Sequence, residues 1–411
     1  MNAQTRTASA AAAEEIARQL TTPEPLLTEL GWRTQSLSKG AAGVALLHIE
    51  HAHAGEGSWR TVHTWMTATV GDGVSAADDA GLLFGAPALA FVLHAAGADG
   101  TDRYGPARTG VDTHVTALTH RRVDLAQARI ARGELPAFSE YDLLHGLTGI
   151  GAHLLQHAAG NDALGRVLTY LVRLTQPLRI DDETLPGWWV FHDPQGKQAS
   201  AFPGGHGNFG IAHGIAGPLA LLAQARRRGI TVDGHDEALH AITTWLDTWR
   251  QHADSGPWWP QWITRDQIRT GRPGQLGPLR PSWCYGTPGL ARAQQLAAIA
   301  TMDSARQQLA EHALARCLSD PAQLSRITDT SLCHGWAGLF QTAWRSARDA
   351  CSPEISVHVP ALADRLIQQC RTRLGEDTGL LEGSTGLALA LHAAARTTPP
   401  ISGWDSCLLI N

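Results

Sequence analysis

Two short motifs in the last third of the chain, Cys284-Tyr285-Gly286 and Cys333-His334-Gly335, set two thiols and an imidazole directly ahead of glycines. Sulfur and imidazole nitrogen are donors that a tetrahedral zinc ion prefers, and three protein ligands leave a fourth position open, the catalytic form of such a site. If each glycine opens a helix, the positive end of the helix dipole also favours the thiolate that zinc requires. No Cys-x-x-Cys pair is present, so the same two cysteines also fit ordinary buried positions in an apolar core. Cys317, Cys351, Cys370 and Cys407 read as core or surface residues.

Other groups capable of chemistry stand near similar glycines. His213 precedes Gly214 and can work as a general acid or base, or simply cap a helix. Asp142, shortly before Gly146, can orient such a histidine or serve as a helix-capping carboxylate. Arg280, just upstream of Cys284, can hold an anion or a carbonyl oxygen, or be a solvated loop arginine. His145 and His206 read as local structure. Gly205, Gly207 and Gly210 have the spacing of a dinucleotide fingerprint, but Pro203 stands where the preceding strand would end, and the match is rejected.

The elements that must position these groups come from one pattern, found seven times: a glycine, two residues, a second small residue, then an apolar run. The first glycines are Gly40, Gly85, Gly146, Gly214, Gly286, Gly335 and Gly383, and repeat two carries Pro87 where the second glycine is expected. Spacings of 45 to 72 residues leave room for a second helix in each unit. That helix is visible at Ala238, Leu239, Ile242, Trp245, Leu246 and Trp249, which keep helical period with charges off the stripe. Amphipathic helices alternating with helices apolar nearly all round describe two concentric layers. The expected fold is all-α, a closed α/α toroid of seven helical hairpins forming one domain over 1–411. Residues 176–207 and 251–283, rich in Pro, Gly and Trp, are expected as loops and short strands over the rim that carries the glycine motifs.

Composition narrows the function. Apolar residues make up 43% and charged residues 17%, enough for a large core, and a net charge of −5 without a basic stripe excludes a nucleic-acid surface. The uncharged stretch 80–98 contains Gly85, Pro87 and His94 and falls inside a repeat, so it reads as a buried helix and not a membrane span. The N-terminus reads as a helix and the cysteines are too sparse for a disulfide framework, so a reduced, cytoplasmic protein is expected.

The segments GHGNFGIAHGIAGPLALL (205–222), SWCYGTPGL (282–290) and SLCHGWAGL (331–339), set in seven glycine repeats, resemble the lanthionine synthetase C-like family, in particular its stand-alone bacterial lanthipeptide cyclases. The resemblance runs from Gly40 to the terminal GWDSCLLIN (403–411), without an added dehydratase domain. It implies one zinc ion held by Cys284, Cys333 and His334, with His213, Asp142, Arg280 and Tyr285 at active-site positions. It further implies addition of precursor-peptide cysteine thiolates to dehydroalanine or dehydrobutyrine, giving lanthionine and methyllanthionine rings. The implied partners are a dehydrated ribosomal precursor peptide, leader plus core, and a lanthipeptide dehydratase and exporter at the membrane periphery. Two other readings use the same residues: a zinc- or glutathione-binding adaptor, or a glycosidase built on Asp142 and Glu382.

Overall fold

The computed structural model describes residues 1–23, 34–71, 73–372 and 377–411. Fourteen long helices among the described residues alternate between two layers. The outer helices are α1 (Ala3–Gln19), α3 (Trp59–Val70), α5 (Gly105–Ala131), α7 (Asp162–Leu174), α9 (His235–Thr248), α11 (Ser304–Leu318) and α13 (Val359–Thr372). The inner helices are α2 (Ala41–His53), α4 (Ala86–Ala96), α6 (Leu147–His157), α8 (Ala216–Arg227), α10 (Thr287–Thr301), α12 (Trp336–Asp349) and α14 (Ser384–Arg396). Each inner helix packs on the next, and α14 returns to α2, so the inner layer is a closed ring. From α3 onward each outer helix packs on the inner helix before it. The seventh pair joins the two ends of the chain: α1 lies against α14, with Arg6 Nε donating to the Ala395 carbonyl at 3.0 Å. The toroid therefore has seven helix pairs, six of them sequential and one formed by closure.

The glycine repeat has a steric origin. A Cβ on Gly289 would sit 1.9 Å from the Trp283 carbonyl oxygen, and one on Gly338 would sit 1.9 Å from that of Leu332. The second glycine of each motif thus gives way to the carbonyl of the residue six positions earlier, which folds the incoming loop tightly over the helix start. Repeat two is the exception, and the place of its second glycine belongs to Ala88; Pro87 sits in the first turn, where the missing N–H is harmless. There the first glycine, Gly85, takes φ +77°, unlike the extended backbone of Gly40, Gly146, Gly286, Gly335 and Gly383. Repeat four also departs, since α8 starts at Ala216, two residues after Gly214.

The C-terminal segment occupies the bore of the ring. Trp404, Cys407 and Ile410 are buried, Trp283 Nε1 donates to the Leu408 carbonyl, and Arg292 Nε to that of Ile410. Arg345 and Gln341 both donate to the buried Asp405 carboxylate, while Ser402 N donates to Glu50 of α2. The expected insertions form three two-stranded ribbons. These are β1 (Leu178–Ile180) with β2 (Glu183–Leu185), β3 (His206–Asn208) with β6 (Trp262–Thr264), and β4 (Gln251–Ala253) with β5 (Gly256–Trp258), all antiparallel.

Candidate metal centre and active site

The loops that lead into the inner helices are stitched to one another by backbone hydrogen bonds. Ile211 N donates to the Cys284 carbonyl at 3.0 Å, Cys284 N to that of Cys333 at 3.2 Å, Cys333 N to that of Leu381 at 2.9 Å and Leu381 N to that of Ser38 at 3.3 Å. Cys284, Cys333 and Leu381 hold the same place in successive repeats, so this belt sets Cys284 and Cys333 side by side. Inside four of these loops a side-chain oxygen accepts the N–H three residues on. Ser36 serves Lys39, Asp142 serves His145, Ser282 serves Tyr285 and Ser331 serves His334, at 3.2, 2.7, 3.4 and 3.1 Å. Asp142 Oδ1 also accepts from Gly146 N at 2.7 Å, so it ties the turn ahead of α6 without capping the helix itself, and its second carboxylate oxygen is left free for other work.

Cys284 Sγ, Cys333 Sγ and a ring nitrogen of His334 lie within 4.8 Å of one another. Cys284 is buried, and Cys333 and His334 are partly open to solvent. Hydrogen bonds to the Cys284 sulfur from Cys333 first, then from His334 and Ser282, hold its pKa well below that of an ordinary thiol despite burial. The Cys333 thiol is pushed up, chiefly because it shares its proton with Cys284 and then because it is buried. The His334 pKa is raised by the bond to Cys284, with Asp329 adding to it. Asp329 Oδ2 lies 3.4 Å from His334 Nε2, a carboxylate behind the imidazole of the kind that orients a metal-binding histidine. Two thiols, an imidazole and a carboxylate behind that imidazole are the donor chemistry of a zinc site with an open position. Arg280 is half-buried, close enough for its charge to act on both Cys333 and His334.

The second group of candidates meets beside this cluster. His213 Nδ1 is 2.6 Å from Asp142 Oδ2; Asp142 is fully buried and the histidine is one-fifth exposed. The carboxylate makes Nδ1 the proton-bearing nitrogen and leaves Nε2 as the working atom. Phe138 and His145 flank the ring, His145 nearly parallel at a centroid distance of 5.9 Å. Tyr285, next to Cys284 in the chain, brings its ring within 6.2 Å of His213 and so links the two clusters. Its hydroxyl accepts from Asn208 Nδ2 at 3.0 Å, and burial raises its pKa. His206, on β3 beside Asn208, is kept neutral by burial, which pulls its pKa down to about 4. His145 and His206 thus stand nearer the site than their reading as local structure implied. Glu382 is paired with Lys39, 3.2 Å from its Nζ, and its charge still reaches Cys333. Sequence reasoning missed Asp329 and Asn208. Each acts only through a neighbour, and a lone carboxylate or amide in a loop gives no periodic signal; the sole hint was proximity to the motifs that hold His334 and His213.

A family model described as lanthionine synthetase C-like protein matches residues 31–409. The nisin biosynthesis protein NisC of Lactococcus lactis subsp. lactis is 24% identical over 269 residues, or 61% of this chain, and the chain spans 60% of that protein's length in the match. A solved structure, a nisin cyclase, shares the fold with a TM-score of 0.81 at 19% identity, over 97% of this chain and 96% of that one. With a match over nearly its whole length, and with the toroid and its rim of glycine motifs in place, the chain belongs to the lanthionine synthetase C-like family.

Proposed function

We propose that the protein is a zinc-dependent lanthipeptide cyclase, working as a single domain over 1–411. The observation that carries this reading is the convergence of Cys284, Cys333 and His334 on one rim, beside the His213–Asp142 pair. Cys284, Cys333 and His334 would hold one catalytic zinc, which as a Lewis acid keeps an incoming peptide thiol deprotonated at neutral pH. The peptide cysteine sulfur then forms a bond to the β-carbon of a dehydroalanine or dehydrobutyrine, and the alkene electrons move toward the neighbouring carbonyl as an enolate. His213 Nε2 takes up the proton that the peptide thiol releases and then delivers it to the α-carbon, with Asp142 holding the ring through Nδ1 and balancing the transient imidazolium charge. Arg280 supplies positive charge for the enolate oxygen, and Tyr285 orders the floor between thiols and imidazole. The substrate is a dehydrated ribosomal precursor peptide, leader plus core, presented in the cytoplasm with a dehydratase and exporter at the membrane periphery. Among the described residues no helix is long and apolar enough to cross a membrane.

A glycosidase needs two carboxylates facing one cavity; here Asp142 is buried against His213 and Glu382 is paired with Lys39, which counts against it. An adaptor role would give no reason for the ordered His213–Asp142 pair. Mass spectrometry of a dehydrated precursor treated with a thiol-alkylating reagent tests the proposal. Free thiols should disappear with the zinc-loaded protein and persist after chelation; persistence in both would refute it.

A further inference from the structure

At the opposite ends of the inner helices, in repeats two and three, a second cluster of metal donors has no part in the chemistry above. His94 lies in the last turn of α4, Asp112 on α5, and His153 and His157 one turn apart at the end of α6. One ligand atom each from His94, Asp112 and His153 lie within 4.8 Å of one another. His94 Nε2 is 3.0 Å from both Asp112 oxygens, and the His94 and His153 ring centroids are 5.5 Å apart. The His157 ring lies against both, at 4.9 Å from His94 and 5.4 Å from His153.

We propose that His94, Asp112 and His153, with His157 alongside, form a second site for a divalent transition metal of the zinc type, clamping α4, α5 and α6 at the far rim. Three observations carry it. His153 Nδ1 and His157 Nε2 are buried with no hydrogen-bond partner among the described residues, and a buried polar nitrogen left so is costly unless something binds it. Two histidines at i and i+4 present both rings on one helix face, the spacing that helical zinc sites use. The cluster also sits where two inner helices end, and the negative ends of their dipoles favour a cation. Burial lowers the His153 pKa to about 3, so the ring stays neutral and keeps a lone pair available. Asp112 is one-third exposed, which leaves an opening for the ion. Imidazole and carboxylate without thiolate make this the weaker of the two sites, filled after the first.

The test uses the full chain carrying Cys284→Ala and Cys333→Ala, stripped with chelator, so that its outcome is independent of the cyclase reading. Zinc titration by calorimetry should show one bound equivalent, and the melting temperature should rise with zinc. Adding His153→Asn, or separately Asp112→Asn, should weaken binding by more than the roughly 10–100-fold that follows loss of an outer-shell partner. Asp112→Asn lies on the outer layer and keeps the helical dichroism, so a misfolded His153→Asn protein would not block the comparison. Absence of a bound equivalent, or an affinity that neither further variant lowers, would overturn the proposal.

Discussion

The His213 ring lies 6.2 Å from that of Tyr285 and makes one short contact, from Nδ1 to a buried carboxylate, which leaves Nε2 for other work. If that nitrogen supplies the α-carbon proton, His213→Asn should retain zinc while ring closure slows by roughly 10²–10⁴-fold. Alkylation-monitored rate and metal content of one preparation check both parts, and a near-normal rate would reduce His213 to a structural cap. At this scale the sequence was informative wherever a residue type is rare and chemically loaded. Cys284, Cys333, His334, His213 and Asp142 all stand out by type beside glycine motifs. What it withheld was the double use of Asp142, one oxygen capping its loop and the other holding His213. Nor did it offer Asp329 or Asn208, whose importance exists only through partners distant in the chain or hidden by loop geometry.

The inner helices depend on loops folded so tightly that carbonyls occupy the space of a side chain. Gly289→Ala would drive a methyl group into the Trp283 carbonyl, in the loop that carries Cys284. A cost of about 1–3 kcal/mol is expected from such overpacking, together with weaker zinc retention as the loop shifts. Gly165 on α7 is the control, because a Cβ there meets nothing within 4 Å. Gly165→Ala should leave zinc untouched and raise stability by roughly 0.5–1 kcal/mol through helix propensity. Calorimetric melting with metal analysis separates the two. The alternation of buried and amphipathic helices was readable from period and repeat, as α9 illustrates: Ala238, Leu239, Ile242 and Leu246 are buried as the stripe requires. The ribbons β1 to β6 were legible only as interruptions, since three-residue strands are too short to show a period of two.

Closure distributes stability around the ring and away from the rim. Cys284→Ala should therefore leave circular dichroism helical while ring formation stops, because the core is held by the α14-to-α2 and α1-to-α14 contacts and by the tail in the bore. Asp405→Ala should do the reverse. It leaves the partly buried Arg345 and the buried Gln341 without their carboxylate, a loss of about 3 kcal/mol in denaturant unfolding, with the rim chemistry preserved in whatever remains folded. The closed toroid followed from seven repeats that each need a neighbour to bury an apolar helix. The pairing of the first helix with the last did not, because no local pattern encodes contacts between the ends of a chain. The proposed function stands or falls on the rim metal that Cys284, Cys333 and His334 would hold. The direct measurement is the cyclisation rate of a dehydrated precursor as zinc is returned to chelator-stripped protein. The rate should climb and level off at one equivalent, with Cys333→Ala at background whatever the zinc level. Full activity of stripped protein, or a Cys333→Ala curve matching wild type, would contradict the account.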